Sequence, residues 1–244
     1  KDERVHLFGL GVPDPKGIFG TTKGLVDKFG DERVFDMPTS ENGMTGVAIG
    51  SSLVGLRPVM THQRVEFALL AIEPIVNQAA KWHYMTGGAM KVPLVIRLIS
   101  GRGWGQGPQH SQTLDVWFAH IPGLKVVAPA TPSDAKNLLI ASVEDDNPVI
   151  FIEHRWLHET LGNVPLRPQI CEIGKASVIK EGCDLTFISH SYALLEVLEC
   201  AKILSTIGLS AEVVDLRTLR PLDYETILTS VKKTGRVIVV ENGW

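Results

Sequence analysis

The chain has 244 residues, 44% hydrophobic and 21% charged, a balance that suits one large or two modest folded domains and excludes the disordered class. Lys+Arg 24 against Asp+Glu 27 leaves a net charge of -3 with no basic block, so nucleic-acid binding has no electrostatic footprint. No stretch approaches the roughly 18 uninterrupted apolar residues of a membrane span, and Lys1-Asp2-Glu3-Arg4 is not the start of a signal peptide. Cys171, Cys183 and Cys200 form no C-x-x-C pair and are odd in number. The expectation is three packed thiols in a cytoplasmic protein, or a mitochondrial matrix protein if the source is eukaryotic.

Apolar runs rich in Val and Ile alternate with helical segments, the pattern of an α/β protein with a mostly parallel sheet. Residues 5–8, 59–61, 92–98, 125–128 and 148–153 read as strands, several apolar on both faces, as strands covered on both sides should be. Residues 41–53 and 68–85 read as helices, and Pro74 lacks the N–H that would keep the second one straight. A third helix opens at Thr131-Pro132-Ser133-Asp134, with Thr131 as cap, Pro132 in the first helical position and Asp134 as the capping-box acid. From Arg167 to Gly182 long helices give way to Pro168, Gly174 and Lys180-Glu181-Gly182, which divides the chain into residues 1–166 and 167–244. A cleaner βαβαβ series follows: strands at 184–189, 211–215 and 236–241, and helices at 191–207 and 223–233 stopped by Gly208 and Gly235. About three strands make an incomplete doubly wound sheet, so the sequence is expected to stop inside its second domain.

The densest signal is Pro38-Thr39-Ser40-Glu41-Asn42-Gly43-Met44-Thr45-Gly46-Val47-Ala48-Ile49-Gly50. A carboxylate stands at the mouth of a helix, and Gly43, Gly46 and Gly50 share a face that another backbone or a flat cofactor could approach closely. A tight helix crossing, with Glu41 favoured by the helix dipole, explains the same pattern. The run Gly101-Arg102-Gly103-Trp104-Gly105-Gln106-Gly107 lacks the dinucleotide spacing and reads as a mobile loop bordering a site. It leads to His110, a side chain suited to proton transfer near neutral pH or, alternatively, a loop histidine bonded to a carbonyl. Glu153-His154-Arg155-Trp156-Leu157-His158-Glu159 lacks the H-E-x-x-H order and reads as a solvated or interface segment rather than a zinc site.

Glu41, Gly46, Val47 and Gly50 at these spacings resemble the pyrimidine-domain signature of thiamine-diphosphate enzymes. More closely, the chain resembles the beta subunit of the decarboxylating component of 2-oxo acid dehydrogenase complexes of the pyruvate, branched-chain and acetoin type. The resemblance rests on Arg33-Val34-Phe35-Asp36, Gly55-Leu56-Arg57-Pro58, Val76-Asn77-Gln78-Ala79-Ala80-Lys81, Tyr84-Met85-Thr86-Gly87-Gly88, Gln109-His110-Ser111-Gln112 and Pro122-Gly123-Leu124-Lys125-Val126-Val127. Asp145-Asp146-Asn147-Pro148-Val149-Ile150, Arg217-Thr218-Leu219-Arg220-Pro221-Leu222-Asp223 and Val240-Glu241-Asn242-Gly243-Trp244 carry it to the last residue. It implies a transketolase-like, parallel-sheet pyrimidine-binding domain followed by an incomplete doubly wound C-terminal domain. It also implies oxidative decarboxylation of a small 2-oxo acid with acyl transfer to a lipoyl group.

By the same resemblance Glu41 shares a proton with N1′ of the aminopyrimidine, a role that needs a buried, apolar setting raising its pKa; Phe35, Met37, Met44 and Val47 are the candidates to supply it. Phe67, otherwise an ordinary core residue, packs on the pyrimidine ring, and His110 assists acyl transfer. Leu94, Ser142, Val143, Asp145 and Asn147 match positions where the family holds a structural monovalent cation such as potassium, with simple helix C-capping as the alternative. The G-D-G…N signature for magnesium and diphosphate is absent, Gly30-Asp31-Glu32 being the nearest approach. The implied partner is an alpha subunit that binds magnesium, in an α2β2 heterotetramer served by a lipoyl-bearing acyltransferase.

Three departures from the family stand out. Gly9-Leu10-Gly11-Val12 lacks the usual acid, Thr61-His62-Gln63-Arg64 replaces an apolar or aromatic stretch, and Pro74 replaces a polar residue. Arg64 or His62 is expected to adjust the site for a more anionic 2-oxo acid. The competing readings are a transketolase or deoxyxylulose-phosphate synthase fragment and a non-catalytic scaffold subunit.

Overall fold

The alternation of apolar runs and helices is realised as follows in the computed structural model, which describes residues 2–102 and 105–243. Lys1, Gly103 and Trp104 of the glycine-rich run, and Trp244 of the final motif lie outside the described residues. In chain order come β1 (Val5–Gly9), α1 (Leu25–Phe29), β2 (Val34–Phe35), α2 (Glu41–Leu53) and β3 (Arg57–His62). A 3-10 turn (Val65–Ala71), a π turn (Pro74–Ala79), α3 (Trp82–Met85), β4 (Val95–Ser100), a 3-10 turn (Pro108–His110) and α4 (Asp115–Ala119) follow. Next are β5 (Lys125–Val127), α5 (Pro132–Glu144), β6 (Val149–His154) and a 3-10 turn (Arg155–Leu157). The last stretch holds β7 (Ser177–Lys180), β8 (Leu185–Ser189), α6 (Ala193–Thr206), β9 (Ala211–Asp215), β10 (Thr218–Arg220), α7 (Tyr224–Thr234) and β11 (Val237–Val240).

The chain divides into two units, Lys1–Lys125 with Ser142–Ile152, and Val126–Ala141 with Glu153–Trp244. In the first, strands run in the order β6-β4-β3-β1-β2, with β1 parallel to both β2 and β3, and β3 parallel to β4. Every residue of β4 is buried, as the two-faced apolar run predicts. The expected helix at 68–85 is instead three short pieces, with Pro74 at the head of the π turn. The proline cannot donate a helical hydrogen bond, and Ala80 N reaches back five residues to Ile75 O at 3.1 Å.

In the second unit β11, β8 and β9 are parallel and β7 closes the edge antiparallel to β9, in the order β11-β8-β9-β7. Ala193, Leu194, Val197 and Ala201 form the inward stripe of α6, and Leu194 and Val197 pack with Phe187 and Val213. Burial of such a Leu or Val stabilises by about 1.5–3 kcal/mol. The capping signals read correctly: Thr131 Oγ1 accepts from Asp134 N at 3.1 Å and donates to the Asp134 carboxylate at 2.7 Å. Asp223 caps α7 by accepting from Thr226 N, and Gly235 ends that helix at φ 70. The thiols do not all pack as expected, since Cys183 and Cys200 are exposed. Among the described residues no helix is long and apolar enough to cross a membrane.

Candidate active site

In the first unit the turn that follows β3 carries Phe67, meets His110, and packs against the helix that begins at Glu41. Thr61 and His62 end that strand fully buried, the chain stays extended at Arg64, and the 3-10 turn then presents Glu66 and Phe67. This turn packs against α2, β4 and the Pro108–His110 turn. Glu41, in the first turn of α2, is 6% exposed, and its carboxylate lies at the end of the helix that favours negative charge. The half-buried Phe67 ring meets His110 at a centroid distance of 5.3 Å and a tilt of 55°.

The apolar surroundings expected for Glu41 are only partly as read. Met44, one turn along α2, is buried, but Val47 is 55% exposed and contributes no wall. Phe35 stacks on Phe8 at 5.2 Å, and Met37 is half-buried. Val47 lies instead on the outer face with Gly43, Gly46 and Gly50, all exposed. A Cβ at Gly46 or Gly50 would meet nothing within 4 Å, so this glycine face is bare within the chain rather than a packed helix crossing.

The departures at 61–64 fall in the same place. Arg64 is 4% exposed; its Nη2 donates to the amide oxygen of Gln106, and its guanidinium lies 5.4 Å from the centre of the Phe19 ring. His62 contributes no charge, because burial pushes its pKa down to about 4. Gly11 is closed in by Gln63: a Cβ there would fall 2.6 Å from Gln63 Nε2, which donates to Leu10 O at 3.1 Å. Among the described residues, Thr61 Oγ1, His62 Nε2, Glu66 Oε2 and His110 Nδ1 are buried without a hydrogen-bond partner. Sequence reasoning missed Glu66, whose Oε1 accepts from Gln112 N at 2.7 Å; its place beside Phe67 was the available signal.

The positions read for a monovalent cation lie together in the first unit and are already supplied with positive charge. Arg57 Nη1 donates to the carbonyls of Val143 and Asp145 at 2.9 and 3.0 Å. Lys125 pairs with the Asp145 carboxylate, which also accepts from Asn147 N and Nδ2, both at 2.9 Å. Leu94 O accepts from Val149 N at 2.8 Å, and Ser142 is buried. Lys91 and then Arg57, hydrogen-bonded to Asp146, hold its carboxyl below the usual range. No group of three His, Cys, Asp or Glu side chains suited to a metal ion occurs among the described residues.

The second unit holds a cavity of about 290 Å³ lined in part by Thr131, Glu153, His154 and His158. His154 is 2% exposed and stacks on Tyr192 at 4.9 Å, so the solvated reading fails for it. The strand residue is carried into the interior by β6, and its Nδ1 accepts from Trp156 N at 3.2 Å. Asp215, at the end of β9, is fully buried; burial, and then the nearby Asp134 carboxylate, push its pKa up to about 7.

A family model described as transketolase, pyrimidine binding domain, matches residues 1–159, and one described as transketolase, C-terminal domain, matches 174–244. The chain is 42% identical over 244 residues to the pyruvate dehydrogenase E1 component subunit beta of Rickettsia bellii, covering 100% of this chain and 75% of that protein. It is 44% identical over 248 residues to the mitochondrial counterpart from Caenorhabditis elegans, covering 100% and 70% respectively. A solved structure described as a split gene transketolase, inactive beta4 tetramer, superposes with a TM-score of 0.82 at 25% identity, over 99% of this chain and 74% of that one.

Proposed function

The chain belongs to the family of β subunits of the thiamine-diphosphate-dependent decarboxylating component of 2-oxo acid dehydrogenase complexes, and on that footing we propose the roles its residues take in a site shared with an α subunit. The observation that carries the proposal is the contact between the half-buried Phe67 ring and His110, whose Nδ1 is unbonded, on a turn packed against α2, the helix whose first turn holds the buried Glu41. A buried acid on one element and an aromatic face on the turn packed against it fit a flat heterocycle with a ring nitrogen. Phe67 packs against the pyrimidine, and Glu41, shielded from water, shares a proton with its N1′. Thiamine diphosphate, when bound, supplies the nucleophilic carbon that loss of carbon dioxide from a 2-oxo acid requires. His110 holds and moves a proton during acyl transfer to the lipoyl group of an acyltransferase component.

The diphosphate and magnesium fall to the α subunit in an α2β2 assembly, and the bare face of Gly43, Gly46 and Gly50 offers close approach to a helix of that partner. The solved relative described as an inactive tetramer of β chains accords with this requirement. A potassium ion at Leu94, Ser142, Val143, Asp145 and Asn147 would share two carbonyls with Arg57, and it enters no step. Of the two side chains considered for substrate choice His62 is neutral, so a preference for a more anionic 2-oxo acid falls to the Arg64 guanidinium, which is held by Gln106 and the Phe19 ring.

The test is co-expression with the α-type chain and a decarboxylation assay over a panel of 2-oxo acids. Glu41→Gln is expected to lower kcat by about a hundredfold or more, the lower end of what a proton-transfer partner contributes. Activity indifferent to that change would leave only the scaffold role.

A further inference from the structure

We propose that Arg64 and Glu66 are positioning residues that clamp the loop bearing His110 at both ends, holding the imidazole against Phe67. The inference deepens the reading of His110 given above and rests on it. Three contacts join the segment after β3 to that loop. Arg64 Nη2 donates to the Gln106 amide oxygen ahead of His110, Glu66 Oε1 accepts from Gln112 N at 2.7 Å beyond it, and Phe67 meets His110 at 5.3 Å between them.

The two sides of the clamp differ in stiffness. Arg64 is 4% exposed, lies two residues beyond the end of a strand paired on both sides, and sits over the Phe19 ring. Gln106 is exposed and sits between Gly105 and Gly107, at φ 69 and 74, where a Cβ at either would meet nothing within 4 Å. Glycines at such angles leave the chain many alternative paths, and no packing at those positions selects one. The position of the Pro108–His110 turn is therefore set by its anchors, the buried side supplying the reference and the glycine side the adjustable part. Displacement of a reacting group by about 1 Å is enough to cost about a hundredfold in rate. Glu66 needs only one acceptor oxygen for its bond to Gln112, so a glutamine there preserves the anchor and an alanine removes it.

The test uses the β chain assembled with its α partner, with Gln106→Ala, Glu66→Ala and Glu66→Gln variants. The first readout is the rate at which diethyl pyrocarbonate modifies His110, followed by peptide mass spectrometry. Both alanine variants are expected to raise that rate about tenfold, with Glu66→Gln within about twofold of the parent. In the same preparations kcat for acyl transfer to a lipoyl domain should fall about tenfold or more. Decarboxylation with an artificial electron acceptor, and the KM for the 2-oxo acid, should change much less. His110 labelling within twofold of the parent in both alanine variants overturns the clamp, as does a matched fall of both rates and of thiamine diphosphate affinity. If His110→Ala spares acyl transfer, the role given to His110 fails, and the labelling rates then decide the clamp by themselves.

Discussion

In the first unit β3 ends in the buried Thr61 and His62 and leads into a turn of charged and aromatic residues. In the second unit β8 and β9 end in the buried Ser189 and Asp215 and lead into Ser191 and Arg217, both at positive φ. Parallel sheets deliver polar side chains to their carboxyl ends in both cases, the usual place for ligands in such folds. The difference lies in what comes next. Arg217 ties its segment together, its backbone N–H donating to Asp215 at 3.1 Å, Nη2 to Lys175 O at 3.1 Å and Nη1 to Asp134 at 3.4 Å. After β3, Phe67 and His110 stay half-buried on a turn and a glycine-bearing loop. The second segment is thus partly tied to itself, although Ser191 Oγ and Asp215 Oδ2 are buried without a hydrogen-bond partner, whereas the first leaves an aromatic ring and an imidazole reachable, as loops that carry function do.

The contrast is sharpest in acid. His62 is held neutral, its pKa lowered from 6.5 to about 4, so its contribution to stability is full above 6.5 and is lost as pH falls through about 4. Asp215 is held protonated, raised from 3.8 to about 7, so its contribution is full below 3.8 and is lost as pH rises through about 7. Each shift corresponds to an effect of a few kcal/mol, roughly 3 for His62 and 4 for Asp215. Between pH 6.5 and 4, hydrogen-exchange protection corrected for intrinsic rates should therefore fall at β3 and rise at β9. His62→Phe should flatten the first trend and Asp215→Asn the second, and parallel trends in the two units would break the contrast.

Glycines provide the next comparison. A Cβ at Gly182, in the second unit, would fall 2.1 Å from Glu212 N, whereas one at Gly50 on α2 meets nothing within 4 Å. Gly182→Ala is expected to destabilise the chain by about 1–3 kcal/mol in chemical denaturation. Gly50→Leu should leave stability unchanged to within about 1 kcal/mol yet prevent co-purification with the α partner. Retained assembly in Gly50→Leu would remove the bare face from the interface. The smallest effect is expected for Thr131→Val, which loses the cap of α5 at a cost of about 1 kcal/mol and should leave decarboxylation by the assembled enzyme unchanged.

Much of this organisation is legible along the chain. The pattern at 41–53 gives α2 to the residue, and Thr131, Asp223 and Gly235 mark helix ends because capping involves neighbours a few residues apart. The short antiparallel strands β7 and β10 escape such a reading, since three or four residues carry no usable periodicity and are strands only through their partners β9 and β5. Val47 shows the same limit at the site, because helical spacing groups it with the glycines without saying whether that face meets the interior.

Local sequence thus determined the alternation of strands and helices, several of their ends and, through motif order, the family, and it nominated Glu41, Phe67 and His110 for the roles proposed above. Tertiary structure alone decided that Glu41 is buried, that His62 is neutral, and that Arg64 and Glu66 grip Gln106 and Gln112 from 42 and 46 residues away. Burial and long-range hydrogen bonds depend on which segments the sheet brings side by side, and no pattern confined to neighbouring residues records that.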